Sequence, residues 1–140
     1  MVHNAKMVFV NLPVADLARA TKFYEALGFT KNPMFSDENA SSMVWSQDIY
    51  VMLLTHDFYK KFLKQHTLAD TTQVSGTMTA FALESIDAVK AFAETAKQNG
   101  GDYYHVEMGI PESQMYELEV TDPDGNILSV SWMNMPESGE

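Results

Sequence analysis

The sequence predicts an α+β fold in which one βαβββ module is built twice in a single chain. The strands are expected to form a curved mixed sheet with the helices on its convex face. Three observations predict this. Residues 7–29 read as strand, tight turn and helix. The same pattern restarts at Thr77. Phe9 and Met78, Leu17 and Ile86, and Phe23 and Phe92 each stand 69 residues apart, the fixed self-similarity of an internal repeat.

In the first module Val8, Val10 and Leu12 alternate with Phe9 and Asn11, the period of a strand with two different faces. Pro13 cannot donate to a ladder, so the strand is expected to end there. Asp16 is a good N-cap, because its carboxylate can accept an orphan N–H of the first helical turn. Leu17, Ala20, Phe23, Tyr24 and Leu27 then recur at helical spacing, and Gly28 supplies the left-handed stop. Lys31–Phe35 is expected as a short strand near a sheet edge because of Pro33. Ser36–Asn39 has turn chemistry, and Ser42–Trp45 is a second short strand. Ile49–Leu54 is apolar on both faces and therefore central. The module spans about residues 7–55.

Residues 56–76 break the pattern. Phe58, Tyr59, Phe62 and Leu63 suggest a short helix, and the rest is polar. Two readings stay open: a connection with a packing helix, or a flap over a pocket, since long loops are often functional. The second module, about 77–133, reads as a strand over Thr77–Leu83 and a helix capped by Ser85 or Asp87 and ended by Gly100–Gly101. Strands follow over Tyr103–Glu107 and Met115–Val120, and after the turn Asp122–Asn126 the last strand is Ile127–Trp132. The acidic tail 134–140 is expected to fray.

At 140 residues the chain reads as one domain, 1–140, long enough for a real core. No apolar run reaches the ~18 residues of a membrane span, and the opening MVHNAKM has no signal-type apolar region. With no Cys there is no thiolate ligand, nucleophile or disulfide. A cytoplasmic protein is the expectation. Nine Lys and Arg against nineteen Asp and Glu leave a formal charge of −10. That field repels phosphate backbones, which argues against nucleic acid, and favours a cationic ligand.

The doubled module, with VADLARATKFYEALGF early and DPDGNILSVSW late, resembles the vicinal-oxygen-chelate superfamily: glyoxalase I, extradiol dioxygenases, fosfomycin-modifying enzymes and bleomycin-resistance proteins. The resemblance covers about Met7 to Met133 and implies the glyoxalase/bleomycin-resistance type of fold. It also implies a homodimer, often with each site shared between chains. In metal-dependent members each module gives two ligands, one opening its first strand and one on its last. Carried over, these positions fall on Phe9 and Leu53 (or, one residue back, Met52) and on Met78 and Ser129. Carbon, thioether and one neutral hydroxyl suit hard or borderline divalent ions poorly, so no metal and no other cofactor are expected. Of the four His, at 3, 56, 66 and 105, none forms an HxH or HExxH pair. His105 and Glu107, two apart on the expected strand, are the one spacing of note.

The face opposite the helices is expected to hold the ligand. Strand parity places Phe9, Asn11, Met78, Ala80, Ala82, Ser129 and Ser131 on it. A type I turn at Pro123–Asp124 with left-handed Gly125 sets Glu119 opposite Ser129 and Glu117 opposite Ser131. The alternative register would turn two unpaired carboxylates towards the helices, at several kcal/mol. The expected cavity has an aromatic and thioether wall of Phe9, Met78, Met43, Trp45 and Met115, with Leu53 and Tyr116 beside it. Its other side is acidic and hydroxylic: Glu117, Glu119, Ser129 and Ser131. An apolar wall with a few convergent polar groups suits a small molecule; the same residues also read as core filler and groove-mouth carboxylates.

Three functions follow. The first is metal-free binding, or sequestration, of a small cationic or aromatic compound, as the bleomycin-resistance branch implies. Charge would come from Glu117 and Glu119, stacking surface from Phe9, Trp45 or Tyr116. The second is an enzyme: a lyase or dioxygenase with an unrecognised metal, or a metal-free catalyst with Glu119 or Glu117 as base. The third is an interaction role through aromatics such as Tyr103, Tyr104 and Trp132.

Overall fold

The computed structural model describes residues 6–135; His3 and residues 136–140 of the tail lie outside the described residues. The doubled module is present. In the first, β1 (Val8–Val14) leads to α1 (Leu17–Ala26), β2 (Thr30–Asn32), β3 (Ala40–Val44) and β4 (Ile49–Thr55). After α2 (His56–Lys60) the second runs β5 (Met78–Ala82), α3 (Ile86–Gln98), β6 (Asp102–Tyr104), β7 (Met115–Thr121) and β8 (Ile127–Met133). The strands are hydrogen-bonded as two four-stranded sheets, one per module, in the orders β1-β4-β3-β2 and β5-β8-β7-β6. Each module thus supplies one four-stranded mixed sheet of the expected fold. β1 and β5 each end a sheet, pairing in parallel with β4 and β8 respectively.

Local chemistry explains the elements. The Asp16 carboxylate accepts from Arg19 N, and Gly28 closes α1 with φ +101°. The Ser85 hydroxyl, not Asp87, caps α3 by accepting from Ala88 N. β1 continues through Pro13 to Val14, because an edge strand can leave one side of its ladder undonated. The strand expected over Lys31–Phe35 stops at Asn32. The Asn32 side chain accepts from Met34 N, and Pro33–Phe35 coils into one 3-10 turn. β3 begins two residues earlier than expected and ends before Trp45. β6 stops at Tyr104, so His105 and Glu107 do not share a strand face. Glu107 instead folds back to accept from Gly109 N.

One core joins the modules. Leu12, Val14, Val51 and Leu53 from the first sheet and Leu118, Val120, Leu128 and Val130 from the second face the helices, with Phe23, Tyr24, Val89 and Phe92 between. Phe29 stacks edge-on against Phe81 and touches Trp45. The DPDGN turn seals this junction. Tyr24 Oη donates to Asp122 Oδ2 at 2.8 Å, Asn126 Nδ2 donates to Pro13 O, and Ala15 N and Arg19 Nη2 both donate to Asp124 Oδ1. No described helix is long and apolar enough to cross a membrane.

Candidate functional site

The outward faces of the two sheets carry the candidate site. On the first, Phe9 is 52% exposed and stacks on Tyr50, its partner across β1 and β4, at 4.7 Å and 12°. Asn11 pairs with Met52 on the same face. Below them α2 lies across the end of β4, its first turn capped by the Thr55 hydroxyl. The hollow so formed, of about 320 Å³, is lined by Asn11, Met52, Leu54, Phe58, Tyr59 and Phe62, with Leu63 at its edge. A cleft of about 210 Å³ shares Asn11, Tyr59 and Leu63 and runs on to Thr71, Asn126 and Ile127. The 56–76 connection therefore walls both cavities.

On the second sheet β7 and β8 pair Glu119 with Ser129 and Glu117 with Ser131. Gly125 sits at φ +84° in the turn that sets this register. Ser129 Oγ donates to Glu119 Oε1, and both residues are buried, as is Ser131. Glu117 is half-buried. Burial first, then hydrogen bonding to Glu119 and its like charge, push the Glu117 carboxyl up to about 7. Met115 and Glu117 border a hollow of about 90 Å³ with His105, Glu107 and Glu112. Met78 stands exposed at the start of β5.

Four expected wall residues lie elsewhere. Leu53 and Met43 are fully buried in the core, because an apolar strand of both-sided character gives no parity of its own. The Met52 alternative is the outward one. Trp45 lies among Phe29, Phe81 and Phe92 at the module junction. Tyr116 has the opposite parity to Glu117, and its ring lies under Lys90 of α3 and against His105. The residues missed were Tyr50 and Leu54, while Met52 was named only as an alternative and Phe58, Tyr59 and Phe62 only as part of a connection or flap. Their only signal was the helical spacing of Phe58, Tyr59 and Phe62.

The two outward faces together, each a parallel edge pair flanked by antiparallel strands, decide the family of folds. The chain has the fold of glyoxalase/bleomycin-resistance proteins. Residues 6–44 match the family described as Bleomycin resistance protein-like N-terminal. Among curated proteins none matches the chain. A hypothetical protein from S. aureus is 22% identical, with a TM-score of 0.72 over 91% of this chain and 93% of that one. A glyoxalase/bleomycin resistance protein/dioxygenase family enzyme from Burkholderia phytofirmans is 15% identical, with a TM-score of 0.72 over 89% and 96%. A genomically encoded fosfomycin resistance protein from Listeria monocytogenes is 16% identical, with a TM-score of 0.66 over 99% and 97%. At such identities the likeness is one of fold.

The metal positions that the sequence resemblance implies are Phe9, Leu53 or Met52, Met78 and Ser129; with Leu53 buried in the core, Met52 is the outward one of that pair. Three offer carbon or thioether, and Ser129 offers one neutral hydroxyl, a weak ligand, whose proton is donated to Glu119. These residues do not fit a divalent ion. Among the described residues no three His, Asp or Glu converge to replace them.

Proposed function

We propose that this protein binds and sequesters a small molecule without a metal, on the outward faces of its sheets. The observation that supports it is the donor set: Phe9, Met52, Met78 and Ser129 stand where ligands would be needed, and Met52 among them lines an apolar hollow of about 320 Å³. Purified protein subjected to elemental analysis is expected to hold no stoichiometric nickel, zinc, manganese or iron. Any of these at one per chain, lost together with ligand binding on chelation, reverses the reading. The chain is also proposed to pair with a second copy, since Val8, Phe9 and Met78 are more than half exposed at the starts of the two edge strands.

A second reading is favoured by the carboxylate pair. Glu117, poised near neutrality beside Glu119, is suited to hold a cation or to move a proton in a metal-free reaction. Because its carboxyl is raised, its negative charge develops only as pH passes about 7. Affinity for a cationic aromatic probe is therefore expected to climb between about pH 6 and 8, and Glu117→Gln to abolish the climb. A flat titration in the unmutated protein removes the acidic face from the site.

A further inference from the structure

We propose that residues 56–76 form a strap that closes over an uncharged, mainly apolar small molecule held against β1 and β4, with the Asn11 carboxamide reading its one polar group. This rests on the metal-free binding reading and adds to it the ligand class and the moving part.

The wall chemistry sets the class. Met52 and Leu54 form the floor, Phe58 and Phe62 the roof, and Asn11 and Tyr59 supply the polar atoms. Among the described residues the lining carries no carboxylate or ammonium group. A charged ligand buried there would lose its hydration without a counter-charge. The strap lysines, Lys60, Lys61 and Lys64, are exposed. The acidic pair of β7 borders a different hollow. At about 320 Å³ the cavity reaches the lower end of the small-ligand range, roughly 300 Å³ upward.

The strap is fixed at two points. At one end Thr55 caps α2. At the other, Thr71 Oγ1 donates to Asp124 O at 2.6 Å, and Thr71 O lies where a Cβ on Gly125 would be only 2.3 Å away. Between them α2 has five residues. Phe62 is 67% exposed and leans edge-on against Phe58. Lys64 holds φ at +53°. A segment pinned at its ends with little buried in between opens at low free energy, and an apolar guest gives Phe62 the contacts it lacks.

The test uses N-phenyl-1-naphthylamine as a neutral apolar probe and ethidium as a planar cation, both with EDTA present. The neutral probe is expected to bind the unmutated protein. Met52→Lys, which puts a charge on the cavity floor, is expected to weaken it by about tenfold or more. Thr71→Val is expected to speed its release several-fold with the circular dichroism spectrum unchanged. If Met52→Lys fails to fold, Phe62→Ala, on an exposed strap position, is expected to weaken the neutral probe in its place. Neutral binding untouched by any variant overturns the strap and leaves metal-free binding standing. Ethidium binding alone overturns the ligand class. Binding of either probe only after a divalent metal replaces EDTA overturns the reading beneath, and so does binding of neither.

Discussion

At the scale of single residues, the carboxylates set how the protein responds to pH. Glu117 is raised to about 7, and Asp122 is raised by burial despite hydrogen bonds from Asn126 and Tyr24. A raised carboxyl means that the folded state keeps a proton the unfolded chain releases. The contribution of these carboxyls to stability is therefore greatest below the usual carboxylate range and, for Glu117, falls as pH climbs towards about 7 and is level above that. Glu117→Gln should flatten the part of this fall that ends near pH 7, while the raised Asp122 keeps its own contribution. Melting temperatures of the two proteins between about pH 4 and 8 check it; parallel curves count against the raised group.

At the scale of elements, the DPDGN turn does two jobs through one glycine. Its left-handed Gly125 sets the β7–β8 register, which brings Glu117 and Glu119 to the outward face. The missing Cβ also lets Thr71 O approach, so the turn anchors the strap. Gly125→Ala meets both demands badly. It should destabilise the fold by about 1–3 kcal/mol and disturb residues around Thr71. Chemical denaturation reads the first effect and amide hydrogen exchange on 67–76 the second. An unchanged midpoint would show that the turn tolerates a side chain. The repeat was legible at this scale, because Leu17 and Ile86 open α1 and α3 and both helices carry a cap and a glycine stop. Strand ends were less legible. Pro13 reads as a stop, yet pairing on one side only let β1 pass through it.

At the scale of the whole molecule, the two sheets press their helix-facing sides into one core and leave Phe9 and Met78 exposed on the outward faces, where Glu119, Ser129 and Ser131 are buried. The proposed second copy would cover Phe9 and Met78, exposed on the outward side of the edge strands. Light scattering of the purified protein is expected to give twice the chain mass of 15.7 kDa. A monomer at working concentration would count against the proposed pairing.

The sequence by itself determined the doubled module, the helix caps, the β7–β8 register and so the outward position of Glu117 and Glu119. These follow from local periodicity, turn chemistry and the penalty on burying carboxylates, all written within a few residues. Only the tertiary structure decided that Leu53, Met43 and Trp45 belong to the core, that Tyr116 lies towards α3, and that the 56–76 segment walls a cavity on Met52 and Asn11. A strand apolar on both sides carries no parity to read, and a loop's neighbours come from elements far along the chain. Their placement is fixed only when the modules pack.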